Sequence, residues 1–214
     1  MEIKYPELYD ESYKILKSVY GDDANFREGQ YEAIEATMTN KRTLVVQRTG
    51  WGKSLVYFMC TKMFRRMNRG FTMVISPLLV LMENQAEMAK KLGIRCDVLN
   101  STVKDRRSEI LEALATDKLD LILITPETLF NEEVQKRLPE LNIGLFVVDE
   151  AHCISDWGHD FRLEYGKIGK IINTLSSNVA VLTTTATAND RVIKDLQKQF
   201  NEDVFVPNRE VVFC

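Results

Sequence analysis

The residues best suited to chemistry begin at Thr49-Gly50-Trp51-Gly52-Lys53-Ser54, where two glycines, a lysine and a hydroxyl follow an apolar run and open an amphipathic one. Glycine admits backbone conformations closed to other residues, and the first N–H groups of a helix lack an intrahelical acceptor. A strand-to-helix turn of this composition can ring a phosphate oxygen with backbone donors. Lys53 would add positive charge near the β- and γ-phosphates of a nucleotide, and the Ser54 hydroxyl would hold Mg2+. Gln47 stands where the usual G-x-x-x-x-G-K-[ST] pattern has its first glycine. The plain alternative is an ordinary glycine-containing turn. Trp51 is the unusual member: its indole either lies exposed beside the nucleotide or folds back onto the domain, and its large apolar area favours packing.

A second constellation follows the apolar run Leu145-Phe146-Val147-Val148, which leads into Asp149-Glu150-Ala151-His152. Adjacent carboxylates at the end of a strand diverge, so they can take separate roles. Asp149 would help hold Mg2+ and Glu150 would orient and deprotonate an attacking water. The competing reading is a solvated helix N-cap, where acids are favoured by the helix dipole. His152 and His159 are the only histidines, with Cys153 and Asp156 near them, and their spacing matches no familiar zinc pattern.

These residues need a frame to hold them. Strand-like runs at 43–47, 71–76, 96–99, 119–125, 144–148 and 179–183 are rich in Val, Ile and Leu, as in strands buried on both faces of a parallel sheet. Amphipathic stretches at 29–38, 53–67, 78–92, 104–115, 132–138, 164–175 and 189–200 alternate with them. The pattern predicts an α/β domain with right-handed crossovers, a mostly parallel central sheet and helices on both faces. Ligands of such sheets sit at the carboxyl ends of the strands. The segments there, 48–54, 76–77, 100–102, 125–127, 149–152 and 184–187, are all small and polar. Residues 1–25 read as a helical lead-in, 26–205 as the domain, and 206–214 as the start of a linker.

Longer segments resemble the RecQ family of helicases. Asp149-Glu150-Ala151-His152-Cys153-Ile154-Ser155, Trp157-Gly158-His159-Asp160-Phe161-Arg162 and Glu164-Tyr165 are similar to that family's motif II and aromatic-rich loop. Phe26-Arg27 with Gly29-Gln30 resembles its adenine-recognition motif. Thr49-Gly50 with Gly52-Lys53-Ser54 resembles motif I, and Ser76-Pro77-Leu78 with Leu81-Met82 and Gln85 resembles motif Ia. Leu99-Asn100-Ser101-Thr102, Pro126-Glu127 and Leu182-Thr183 with Thr185-Ala186-Thr187 match further family segments.

The resemblance implies a RecA-like P-loop NTPase domain, the first of two motor lobes in an ATP-dependent helicase moving 3′ to 5′ on single-stranded DNA and unwinding duplex. It implies Lys53, Asp149, Glu150 and His152 as catalytic, with ATP bound through Arg27, Gln30, Thr49, Gly50, Gly52, Lys53 and Ser54, and Mg2+ through Ser54 and Asp149. Ser76, Pro77, Asn100, Ser101, Pro126, Glu127, Trp157, His159, Phe161, Arg162, Thr185 and Thr187 would contact nucleic acid or couple it to hydrolysis. Aromatic rings stack on unpaired bases and arginine pairs with phosphate, so the 157–162 segment reads as a loop facing DNA rather than as core. Arg48, Trp51, Asp156 and Leu163 depart from the family's usual residues. Asp23 or Ala24 falls where an adenine-stacking aromatic is expected, a role open to a displaced Tyr20.

Composition bounds these readings. The chain has 214 residues, 45% of them hydrophobic and 28% charged, which supports a buried core and argues against disorder. The net charge of −3 does not advertise nucleic-acid binding, so a basic face would have to be local. Cys60, Cys96, Cys153 and Cys214 form no C-x-x-C pair and fit a reducing compartment. An acidic N-terminus and the lack of long apolar runs suggest a soluble, cytoplasmic protein without a signal peptide or membrane span. A second RecA-like lobe, which would supply an arginine finger, is expected as a partner, so this chain alone should hydrolyse ATP slowly and unwind nothing. The competing functions are a nucleotide-binding regulatory module or a translocase that does not unwind, and a small-molecule P-loop kinase, which the Asp-Glu-Ala-His sequence disfavours.

Overall fold

The computed structural model describes residues 4–39, 42–151, 159–186 and 204–205, with backbone only for 159–166 and 204–205. Helix α1 (Pro6–Tyr20) leads into α2 (Gln30–Met38), and then strands and helices alternate. The order is β1 (Arg42–Val46), α3 (Lys53–Arg66), β2 (Phe71–Ile75), α4 (Leu79–Lys91), β3 (Cys96–Leu99), α5 (Arg107–Ala115), β4 (Leu121–Ile124), α6 (Pro126–Leu129), α7 (Glu132–Arg137), β5 (Ile143–Val148), α8 (His159–Thr174), β6 (Ala180–Thr185) and β7 (Val204–Phe205). The strands form one sheet in the order β3-β4-β2-β5-β6-β1-β7, and every neighbouring pair is parallel. This is the parallel α/β sheet that the alternation of apolar runs predicts, and the RecA-like fold that the family resemblance implies.

Side chains alternate across a strand, so consecutive apolar residues feed two cores. Phe146 and Val148 of β5 join Met73, Ile75, Ile122, Ile124 and Val181 on one face, beneath Ile110 and Leu111 of α5 and Ile168 and Ile172 of α8. Leu145 and Val147 join Val45, Val74, Leu123 and Leu182 on the other, beneath α2, α3 and α4. Ile15 and Leu16 of α1 belong to this second core, so the lead-in packs as part of the domain.

Three departures of the helices from the sequence expectation bear on the site. The 104–115 segment divides into a 3-10 turn at Lys104–Arg106 and then α5, and a short helix α6 follows β4. Pro126 at the first helical position and Thr125 as N-cap start α6: the Thr125 hydroxyl accepts from Thr128 N at 3.3 Å. The third difference is α8, which begins at His159 rather than at residue 164, so the backbone of His159, Phe161 and Arg162 is helical. A strong apolar period in 164–175 marks the packed part of that helix but not its polar first turn.

Strand register sets the position of everything that follows. Leu99 pairs with Ile124, Ile124 with Ile75, Ile75 with Val148, Val148 with Thr183, and Thr185 with Val46. Four strands therefore end level, at Leu99, Ile124, Ile75 and Val148, while β6 and β1 run two residues further to Thr185 and Val46, and the polar segments after all six share one edge of the sheet. The opposite edge is held by charge: Asp120 accepts from Arg65 Nε at 2.9 Å and Arg95 Nη2 at 2.6 Å, and Arg65 also pairs with Asp117.

Candidate functional site: a phosphate loop beside a buried carboxylate

The loop between β1 and α3 closes as a tight turn, with Trp51 N donating to Arg48 O at 3.2 Å. Gly50 (φ +82°) and Gly52 (φ +100°) both adopt left-handed backbone, which a side chain would oppose. At Gly52 the restriction is doubled, because a Cβ there would stand 2.7 Å from Gln30 Nε2. Thr49 and Gly50 are exposed, whereas Lys53, the first residue of α3, is buried. Its Nζ donates to Gln47 O at 2.8 Å, so the ammonium is held back against the loop's own entry strand. Burial lowers the Lys53 pKa, opposed by the nearby negative charges of Glu150 and Asp149.

Residues 27–30 brace this loop. Gln30 accepts from Arg27 N at 2.8 Å through Oε1 and donates to Trp51 O at 2.9 Å through Nε2. Arg27 Nη1 donates to Gly50 O, and the Trp51 indole N–H donates to Glu28 O at 3.2 Å. Trp51 is only 8% exposed and joins the core beneath α2 and α3, so the indole is a packing group. The bracing segment is itself fixed to α1 by aromatic contacts. The Tyr13 and Phe26 rings meet edge-on at 4.8 Å, and Tyr9 meets Tyr31 at 4.9 Å. Tyr20 ends α1 with 52% of its surface exposed.

The carboxylates lie across the sheet edge, after β5. Asp149 N donates to Ile75 O at 2.9 Å, which continues the β2–β5 ladder past its last paired residues. The Asp149 side chain is 3% exposed. Oδ2 accepts from Gln85 Nε2 at 2.8 Å, and Oδ1 accepts from Glu150 N at 3.0 Å and from the Thr184 hydroxyl. Burial raises the Asp149 pKa, the Thr184 bond opposes this, the Glu150 charge adds to it, and the Gln85 bond opposes it; the net direction is up. Glu150 takes a left-handed φ of +50°, uncommon for a residue with a side chain. The turn is held because Ala151 N donates to Thr184 O at 3.0 Å.

Two groups near Asp149 have no protein partner among the described residues: the buried Ser76 Oγ and the Oε1 of Gln85. Buried polar atoms of this kind are normally satisfied by water or a ligand. The remaining candidates are placed as follows. Pro77 is half-buried and Ser101 and Glu127 are exposed on the same edge, while Pro126 is buried. Asn100 is committed to its own turn, accepting from Thr102 N at 2.8 Å. Thr185 is fully buried at the end of β6. His152, Trp157 and Thr187 lie outside the described residues, as do the side chains of His159, Phe161 and Arg162; the rival metal reading falls there too.

Sequence reasoning placed Gln85 in a family-like segment and Thr184 in the polar segment 184–187 but gave neither a role, yet both hold Asp149. Thr184 sits in a run of three threonines whose side chains alternate between faces, and nothing local marks which one meets the carboxylate. Besides its place in a family-like segment, Gln85 carries a physical signal: a long polar side chain on the otherwise apolar inner stripe of α4, beside Met82, Ala86 and Ala89.

Comparison with known proteins agrees with this geometry. The family profile described as DEAD/DEAH box helicase matches residues 27–196. An ATP-dependent DNA helicase RecQ from Haemophilus influenzae is 35% identical over 87% of this chain, which covers 29% of that protein. The probable ATP-dependent DNA helicase RecS of Bacillus subtilis is 38% identical over 80% of the chain, covering 34% of that protein. The chain thus spans about a third or less of the curated relatives it matches. Among solved structures, the DUF1998 helicase MrfA superposes with a TM-score of 0.74 over 95% of this chain and 30% of its own, at 17% identity. With a family profile matching most of its length and a phosphate loop and buried aspartate on one sheet edge, the chain belongs to the DEAD/DEAH box helicase family.

Proposed function

We propose that this domain is the ATP-binding lobe of an ATP-dependent DNA helicase that moves 3′ to 5′ on single-stranded DNA, with ATP and Mg2+ as its cofactors. The observation that carries the reading is the single sheet edge shared by the phosphate loop, with Gly50 and Gly52 in left-handed backbone, and the buried Asp149. The site fits a nucleotide and its metal. Helix α3 starts at Lys53, at the end of the loop, where a helix N-terminus favours an anion, Lys53 supplies a cation, and Ser76 Oγ and Gln85 Oε1 are buried polar atoms suited to a bound water.

Each residue has a physical task under this reading. Lys53 leaves Gln47 O to meet the β- and γ-phosphates, and Ser54 and Asp149 hold Mg2+. Both Asp149 oxygens already accept from protein donors, which favours contact through a metal-bound water. When bound, Mg2+ would neutralise charge on the phosphates of the reacting nucleotide. Glu150, turned out of the strand line by its backbone, orients and deprotonates the attacking water, and His152 completes the catalytic set of this reading. Arg27 and Gln30 meet the adenine while bracing the loop. Ser76, Pro77, Asn100, Ser101, Pro126, Glu127, Thr185 and Thr187, with the 157–162 segment, serve nucleic acid and its coupling to hydrolysis.

Relatives named as DNA helicases, and a DNA-bound structural neighbour, support DNA as the substrate. The exposure of Thr49 and Gly50 supports a site finished by a second lobe. Tested alone, this segment should bind ATP and turn it over slowly. The test of the function is Glu150→Gln in the full-length protein. ATP binding should persist while single-stranded-DNA-stimulated hydrolysis falls by at least about a hundredfold, as for loss of a general base. Unchanged hydrolysis would overturn the assignment.

A further inference from the structure

Helix α4 joins two places that the proposed function treats separately. Its first turn follows Ser76-Pro77 at the ligand edge of the sheet and carries Leu79 and Val80 outward, 40% and 71% exposed. Its inner stripe carries Gln85, 8% exposed, whose Nε2 donates to Asp149 Oδ2 at 2.8 Å. The 13-residue helix has no proline or glycine within it, so its first turn and Gln85 move together.

We infer that Gln85 is a positioning residue that transmits contact of single-stranded nucleic acid with the first turn of α4 to Asp149 at the ATP site. The inference rests on the helicase reading above and adds to it a route and a residue. Three observations support it. The amide bond to Asp149 is made from one rigid helix to the loop after a different element, so a shift of α4 along or across the sheet changes it directly. The other end of the same amide, Oε1, is buried without a partner among the described residues, as is Ser76 Oγ just before the helix. Unsatisfied buried polar atoms cost free energy, and their pairing in a second arrangement of α4 would offset the cost of moving it. Finally, Leu79 and Val80 are apolar groups left on the surface, adjacent to Pro77 and on the edge where a strand of bases with apolar faces would lie.

The coupling separates two measurements. Contacts at the helix tip set how much nucleic acid is needed, whereas Gln85 sets how much hydrolysis follows. In the full-length protein, Val80→Asp should raise the single-stranded DNA concentration for half-maximal ATPase stimulation. Gln85→Met, similar in length but unable to donate, should leave that concentration and DNA binding within about twofold and reduce the stimulated rate about tenfold, the scale of an ordinary coupling free energy. A purely structural role for Gln85 would appear as a lower melting temperature with stimulation intact. Methionine removes an unsatisfied acceptor together with one donor to the buried Asp149 carboxylate, so the melting temperature should fall modestly while the stimulated rate falls as well; if Gln85→Met fails to fold, Gln85→Leu, which also cannot donate, decides by the same readout. Stimulation of Gln85→Met equal to wild type overturns the inference alone. A wild-type protein that DNA does not stimulate overturns the helicase reading and this inference with it.

Discussion

Gln30 Nε2 donates to the carbonyl oxygen of Trp51 at 2.9 Å, tying the segment before α2 to the middle of the phosphate loop. A residue expected from its motif to meet adenine is thus also a structural brace, with one amide end on Arg27 N and the other on the loop. Under the proposed function, nucleotide recognition and loop shape share a side chain. Gln30→Ala should therefore lower ATP affinity by more than one lost base contact explains, about tenfold or more, with a loosened loop. Equilibrium titration with a fluorescent ATP analogue reads the affinity. An affinity within twofold of wild type would show that the brace is dispensable.

Gly52→Ala tests the same junction from the other side. A Cβ 2.7 Å from Gln30 Nε2, on a backbone with φ +100°, cannot be accommodated without displacing the brace. The strain should cost about 1–3 kcal/mol, seen as a lower denaturation midpoint together with weaker ATP binding. Gly50→Ala, also at positive φ but with nothing within 4 Å of its Cβ, should cost less.

Trp51→Ala should destabilise the domain by about 3 kcal/mol, toward the lower end for large aromatic truncations because the indole lies at the edge of the core. Chemical denaturation measures this. A change under 1 kcal/mol would mean that the indole contributes little packing despite its 8% exposure.

Thr184→Val keeps the shape of the side chain and removes a donor from Asp149 Oδ1. A buried carboxylate left short of a hydrogen bond should cost about 1–3 kcal/mol. Hydrolysis should fall along with stability, whereas the neighbouring Thr183→Val should be much milder. Equal effects at both positions would argue against a specific role for Thr184.

The acid limb of stability should depend on Asp120. Burial raises its pKa, but the hydrogen bonds and charge of Arg95, with the charge of Arg65, outweigh this and leave it below the ordinary 3.8. A carboxyl with a lowered folded pKa contributes its full stability above the unfolded value and loses it as pH falls through the folded one. Asp120→Asn should cost about 2 kcal/mol at neutral pH, and the difference from wild type should shrink on acidification below pH 3.8. Urea denaturation at several pH values checks both, and a constant difference down to the acid limit would refute the assignment.

Much of this architecture is legible in the order of the residues. Six apolar runs alternating with amphipathic stretches give a parallel α/β domain, because strands buried on both faces need no polar alternation. Glycine, lysine and serine after the first run mark a candidate phosphate loop, because its chemistry is local: backbone shape, a cation and a hydroxyl within a few residues. Asp149 is legible for a similar reason, as the polar end of an entirely apolar strand. What the order of residues does not carry is adjacency. Nothing in β5 or β6 alone places them side by side with β2 on the other flank, yet that order, β2-β5-β6, brings Gln85 and Thr184 onto Asp149. Likewise the two-residue strand β7 and the polar first turn of α8 have too few apolar positions to show a period. Hydrophobic patterning decides which segments are buried; which buried polar groups meet is decided only when the sheet closes, since each must find a partner among whatever its neighbours present.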